Sequence, residues 1–201
     1  MSSNRFGNQY NALFIAILAI IILSFSSIWM TWLNIGAKAY GDNVNETLDF
    51  TEIVKTDEEY TKYNEKMENS NIDTSKYISK SDYDAILNSY HAMKYAGIIG
   101  FVLLGITGVC VFISRKAMTI ASLLATLAFA VSMISGMIYC SKTEEYMRDL
   151  TRKLLEGLIS INYEFKIGIG FIIPLAAAFV VTVLGFYIGK KEKSQSYDMY
   201  Y

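Results

Sequence analysis

Proline occurs once in this 201-residue sequence, histidine once and cysteine twice. Each scarcity excludes something. The single histidine, His91, stands at the edge of an apolar run, so it reads as an interfacial residue. It cannot build a histidine metal cluster, and its position does not suit a Ser-His-Asp arrangement. Cys110 and Cys140 each fall toward the C-terminal end of an apolar run; if these runs are antiparallel spans the two thiols lie toward opposite sides of the membrane, much further apart than the roughly 4.4–6.8 Å between Cα atoms of a disulfide. No internal disulfide is expected, and Cys110 reads as a packed core thiol. No glycine-rich phosphate loop follows a strand and no basic patch suggests nucleic acid. The acidic Asp57-Glu58-Glu59 lacks the spacing, central glycine and terminal glutamate of a calcium loop. The chain is therefore expected not to be an enzyme, with no cofactor, metal, nucleic acid or small-molecule substrate.

The most informative absence is that of charge. None of the 18 Lys and Arg or 19 Asp and Glu residues lies in Tyr10–Leu33, Tyr95–Ser114, Ala117–Cys140 or Ile167–Gly189. Each run has about the 20 residues that a helix needs to cross a hydrocarbon core of roughly 30 Å. In lipid the backbone must satisfy itself, which makes these runs helices. The first is too long for the roughly 7–15-residue core of a secretory signal, so it is expected to stay as a span despite the cleavage-like Ala37-Lys38-Ala39.

The flanks set an orientation. Arg5, Arg115, Lys116, Lys190, Lys191 and Lys193 share one side with only Glu192 and Asp198, while the long loop on the other side is acidic. The positive-inside rule then puts both termini in the cytoplasm and the long loop outside the cell membrane. The expected order is a cytoplasmic tail (1–9), span 1 (10–33), an outer loop domain (34–94), span 2 (95–114), a cytoplasmic turn (115–116), span 3 (117–140), a second outer loop (141–166), span 4 (167–189) and a cytoplasmic tail (190–201). Trp29, Trp32, Tyr95, Tyr139 and Phe165 are expected at the outer interface, with Tyr10 and Tyr187 at the inner one.

Within the long loop, Ile53, Val54, Tyr60, Tyr63 and Met67 recur at helical intervals, with Thr51 as the expected N-cap. Ser81-Asp82-Tyr83-Asp84 resembles a capping box that opens a helix running into span 2. Residues 35–50 read as an extended or hairpin segment, with a candidate glycosylation acceptor at Asn45 in Asn45-Glu46-Thr47. In the second loop Tyr146, Leu150, Leu154 and Leu158 form one apolar stripe of an amphipathic helix. The fold class is thus an all-α membrane protein, a four-transmembrane-helix bundle with a mostly helical outer domain and a short β segment after span 1.

Lipid gives helices little hydrophobic reason to associate, so small residues that let backbones approach mark contact faces. Span 2 has Gly97, Gly105 and Gly108. Span 3 has Ala121, Ala125, Ala128, Ser132 and Gly136, and span 4 has Gly170, Pro174, Ala178, Thr182, Gly185 and Gly189. These faces either pack the bundle or serve another subunit. Pro174 removes the bond to the Gly170 carbonyl and is expected to bend its helix. The spans hold none of the ionisable residues that mark pumps and transporters.

Two stretches carry a family resemblance. Trp32 is followed by "LNIGAKAYGDNV", similar to the claudin passage from a tryptophan into a first strand. "NYEFKIGIGF" (162–171) is similar to the entry into a claudin fourth span. With the four-span layout, the chain resembles the claudin and peripheral myelin protein superfamily, although its first loop lacks that family's two cysteines. The resemblance implies lateral assembly or adhesion and a partly β outer domain. The expected function is a non-enzymatic multi-pass scaffold, adhesion protein or accessory subunit whose partners are the lipid bilayer and other membrane proteins or itself. The alternatives are a pore or transport component active as an oligomer and a non-catalytic subunit of a membrane enzyme.

Overall fold

A computed structural model describes residues 3–39, 42–55, 80–154 and 161–198. The chain is mostly helical, with four helices long and apolar enough to cross a membrane and one small sheet. Helix α1 (Ser3–Phe25) leads through a short 3-10 turn, Ser26–Trp29, to strands β1 (Leu33–Ala39) and β2 (Asp42–Leu48). Residues 50–55 are helical. Helices α2 (Lys80–Ile113) and α3 (Arg115–Leu154) follow, then strand β3 (Asn162–Ile167) and helix α4 (Ile169–Asp198). The chain folds into two compact units. One contains Met1–Ser26, Ala96–Ala130 and Ile172–Tyr201; the other contains Ser27–Tyr95 and Val131–Phe171.

The first unit holds apolar helix. Only Ser114 separates α2 from α3. Its amide donates to the Cys110 carbonyl and its carbonyl accepts from the Met118 amide, so one residue closes one helix and opens the next. The connection is shorter than the expected turn at 115–116. Gly105 and Gly108 of α2 lie against Phe25 and Ile21 of α1, and the Phe101 ring meets Phe129 of α3 edge-on at 5.1 Å. Gly185 of α4 lies against Thr119 and Met118 of α3. Large apolar side chains such as Ile106, Phe112, Leu127, Phe179 and Phe186 point outward.

The second unit is built around a three-stranded antiparallel sheet in the order β2-β1-β3. Leu33 pairs with Leu48 on one side and Ile167 on the other, and Gly36 pairs with Asn45 and Glu164. Side chains alternate across a strand. Leu33, Ile35 and Ala37 therefore share a face with Tyr163, Phe165 and Ile167, while Asn34, Lys38, Asn45, Thr47, Asn162 and Lys166 line the other. The hairpin expected within 35–50 is present. The third strand departs from expectation, because "NYEFKI" by itself reads as loop next to an amphipathic helix.

Three further expectations change. The helix of the third span does not stop with its apolar run at Cys140: α3 continues unbroken to Leu154. Its 40 residues at about 1.5 Å each span about 60 Å, twice a hydrocarbon core. The charged turns after Cys140 simply prolong the helix, since no glycine or proline interrupts them until Gly157. The N-cap of segment 50–55 is Asp49, not Thr51. Asp49 Oδ1 accepts from the Glu52 amide at 2.9 Å while Glu52 Oε2 accepts from the Asp49 amide at 2.9 Å, a reciprocal capping box. Thr51 instead donates its hydroxyl to Asp49 at 2.6 Å. Ser81 likewise stands inside α2, which already includes Lys80. Of the loop stripe, Tyr60, Tyr63 and Met67 lie outside the described residues, as does Leu158 of the second stripe.

Candidate functional site

The small residues singled out in the spans are mostly covered. In α2, Gly97 is buried and Gly105 and Gly108 half-buried; in α3, Ala121, Ala125, Ser132 and Gly136 are buried and Ala128 half-buried. In α4, Gly170, Pro174, Ala178, Thr182 and Gly185 are buried. Gly189 has open space where a side chain would be. These faces therefore pack inside the chain and are not left free along most of their length.

Their contacts divide into two types. In the first unit the Thr182 hydroxyl back-bonds to the Ala178 carbonyl at 2.9 Å and lies 3.0 Å from Ser122 Oγ and 3.4 Å from Thr126 Oγ1. Ser122 also donates to Thr119 O, and Thr126 to Ser122 O. The hydroxyls thus satisfy one another and their own helices. In the second unit Ser132 Oγ donates to the Met93 carbonyl at 2.7 Å, joining α3 to α2. A methyl group on Gly136 would sit 2.9 Å from the Phe171 ring and 3.3 Å from the Met93 sulfur.

The tightest junction of the second unit centres on Trp32. It was expected at a membrane interface, but it is fully buried, whereas Trp29 is 70% exposed. The indole lies between Phe50 and Phe171, with ring centroids at 4.5 and 4.4 Å, and its Nε1 donates to the Ser27 carbonyl at 2.7 Å. Aromatic pairs of this kind add about 0.5–1.5 kcal/mol each beyond area burial. The backbone is equally engaged. Trp32 N donates to Leu48 O, Gly168 N to Trp32 O at 2.7 Å and Gly170 N to Thr31 O at 2.8 Å. The last bond satisfies a donor that the first turn of α4 cannot satisfy itself. A methyl group on Gly168 would lie 2.2 Å from the Thr31 carbonyl oxygen, and one on Gly170 would lie 2.2 Å from Trp32 Cδ1. Gly170 was singled out for helix contact; what it contacts is an indole and a strand end. Pro174 lies in the second turn of α4, which runs through it without a break.

No protein-family model matches the chain, and no curated protein matches it either.

Further features were not legible in advance. Tyr139, expected at the interface, is buried and its ring lies 5.4 Å from that of Tyr90. The Tyr90 hydroxyl donates to the Ile53 carbonyl, tying α2 to segment 50–55. Tyr163 of β3 shares a hydrogen bond of 3.0 Å with Thr151 of α3. Asn45 is exposed on β2 beside Gly36, an accessible position for an acceptor. Lys166 hydrogen-bonds to Glu164 and holds its carboxyl below the usual range. Slight burial would raise the Asp49 carboxyl, but the Thr51 hydroxyl and the amides of Glu52 and Thr51 outweigh it and lower its titration. Among the described residues no group of three or more His, Cys, Asp or Glu is arranged to hold a metal ion.

Proposed function

We propose that the chain is a non-enzymatic multi-pass protein of the cell membrane, an adhesion protein or accessory subunit that assembles laterally with other membrane proteins or with itself. Its four spans form a helix bundle, both termini are cytoplasmic, and the sheet-bearing unit is extracellular. The bundle is supported by the contacts of α1 with α2, α2 with α3 and α3 with α4. The orientation is supported by the basic residues at 115–116 and 190–193.

The observation that carries the reading is the division of surfaces. The small-residue faces are covered within the chain and the helices turn bulky apolar side chains outward, as suits lipid. The sheet offers an exposed polar face and, on β2, an edge with no further strand among the described residues. Partner recognition is therefore assigned to the sheet rather than to the spans. Cross-linking in mild detergent followed by mass measurement is expected to give a complex with links at Lys38 and Lys166 on that face. A lone monomer that recruits nothing overturns the proposal. Glycosylation of Asn45 in a glycosylating host, abolished by Asn45→Gln, is the expected sign of the orientation; a label at Lys38 that reacts only from the cytoplasm contradicts it.

Kinship with the claudin and peripheral myelin protein superfamily belongs to the same proposal. A strand starting directly after Trp32 and a strand at "NYEF" support it, and the missing first-loop cysteines weigh against it. The pore alternative draws little support from the hydroxyls of Ser122, Thr126 and Thr182, which are bonded to one another. Ion flux from the purified protein in liposomes would favour it.

A further inference from the structure

Between α2 and α3 of the second unit lies a pocket of about 100 Å³ framed by four tyrosines. Tyr83 and Tyr90 stand seven residues apart on α2, and Tyr139 and Tyr146 seven apart on α3. Two turns of helix separate each pair, so both members share a face. The Tyr90 and Tyr139 rings close one end of the pocket, 5.4 Å apart and inclined by 55° rather than stacked. The two helices are antiparallel here, since Met93 meets Ser132 as Tyr90 meets Tyr139. Tyr83 and Tyr146 therefore stand together at the other end. The two levels are about 10 Å apart along the helices, so a group seated midway is about 5 Å from each. That is inside the roughly 6 Å reach of a cation–π contact.

Size and charge narrow the occupant. An apolar cavity of about 150 Å³ holds one benzene, so this pocket takes a group of about five heavy atoms rather than a whole lipid chain. Ile86, Leu87 and Met147 complete an apolar wall, and among the described residues no charged side chain lines it. The charges stand around it. Asp82 and Asp84 flank Tyr83, while Lys142, Glu144, Glu145 and Arg148 neighbour Thr143, Tyr146 and Met147. Four carboxylates against two cations leave a net −2, a field that favours a cation over a neutral or anionic group.

The lining decides which cation. A primary ammonium brings three N–H donors that need acceptors once water is stripped away. The Tyr90 hydroxyl is already bonded to the Ile53 carbonyl, and Thr143 Oγ1, buried without a partner, is a single atom. A quaternary ammonium has no N–H to satisfy, and aromatic rings attract its spread charge. We infer that this pocket binds a trimethylammonium group, the group carried by choline and by choline phospholipids. Tyr139 lies within the uncharged run and Tyr146 beyond it, the level of a lipid headgroup. The inference depends on neither lateral assembly nor orientation, so a monomeric protein tests it equally well.

The experiment uses the full chain in a maltoside, a detergent without an ammonium group, and titrates it calorimetrically with choline and with its neutral isostere, in which carbon replaces the nitrogen. Choline should bind at least about tenfold more tightly, the size of one desolvated cation–π contact. Tyr83→Leu and Tyr146→Leu should each lose about tenfold in choline affinity. Tyr83→Phe and Tyr146→Phe keep the ring and should stay within about twofold of wild type. Circular dichroism reports whether each variant is folded, and if the variants at one position misfold, those at the other decide. Native mass spectrometry with phosphatidylcholine and phosphatidylethanolamine of identical acyl chains separates the sources. Retained phosphatidylcholine assigns the pocket to lipid, and choline binding without it assigns the pocket to a free solute. Binding of neither choline nor phosphatidylcholine overturns the inference. So does equal affinity for the neutral isostere, a preference for phosphatidylethanolamine, or choline affinity that is unchanged in the folded leucine variants.

Discussion

Gly170 and Gly189 belong to the same small-residue face of α4 by spacing, yet the structure predicts that Gly→Ala changes at the two positions have opposite signs. At Gly170 the new methyl would stand 2.2 Å from Trp32 Cδ1, 2.5 Å from Nε1 and 2.9 Å from the Thr31 carbonyl oxygen. The indole cannot retreat, because Phe50 and Phe171 flank it and Ser27 holds its N–H. Overpacking of a core costs about 1–3 kcal/mol. Relief by moving α4 away would weaken the bonds from Gly168 and Gly170 to the Thr31–Trp32 backbone, each worth about 1 kcal/mol net. By either route Gly170→Ala should destabilise by about 1–3 kcal/mol. At Gly189 a methyl meets nothing within 4 Å, and alanine in place of glycine within a helix gains about 0.5–1 kcal/mol. The assay is reversible denaturation in micelles, followed by the fluorescence of the two tryptophans, of which Trp32 is buried. If Gly170→Ala unfolds within about 0.5 kcal/mol of wild type, a margin typical of harmless substitutions, the argument from the Trp32 junction fails.

Four further outcomes are expected. Trp32→Ala should cost about 3–5 kcal/mol and remove the blue-shifted part of the emission, whereas Trp29→Ala, at an exposed side chain, should leave stability nearly unchanged in micelles. Thr182→Val keeps the shape of the side chain while deleting its hydroxyl; the loss should be about 0.6 kcal/mol, the mean for hydrogen bonds between membrane helices, and a loss above about 2 kcal/mol would assign these hydroxyls a larger role. Asp49→Ala should cost about 1 kcal/mol at neutral pH through the lost cap. Because the folded carboxyl titrates below its ordinary value of 3.8, the contribution is complete above that value and is lost as pH falls through the folded pKa. Wild type and variant should converge in denaturation curves at that acid end, and a gap unchanged by acid would contradict the capping box. Gly100→Ala places a methyl 2.8 Å from the Phe129 ring and should cost about 1–3 kcal/mol, read as a lowered denaturation midpoint.

Secondary structure was legible where one physical demand dominated. A hydrocarbon-length run without charge has one stable backbone form, so the four helices followed from the absence of Asp, Glu, Lys and Arg. The hairpin at 33–48 was half legible, since Gly36 and Gly41 punctuate it but Asn and Thr on its polar face blur the alternation. "NYEFKI" alternates clearly, yet six residues beside an expected amphipathic helix read as loop; only β1, more than a hundred residues earlier, makes it a strand. The cap at Asp49 was missed because Thr51 is an equally good capping residue by type, and the choice depends on which side chain reaches the Glu52 amide.

The sequence by itself determined that the chain carries four helices long and apolar enough to cross a membrane, and which faces of those helices are smooth enough for close contact. Charge and side-chain size act locally, and they can be counted along a chain. Only the tertiary structure decided what those faces touch. Gly170 meets Trp32, Gly185 meets Thr119, and Gly189 meets nothing, because partners across space are chosen by the packing of residues far apart in sequence. The same holds for Trp32, whose two tryptophan-like options, an interface anchor or a core centre, differ only in whether Phe50 and Phe171 arrive on either side of it.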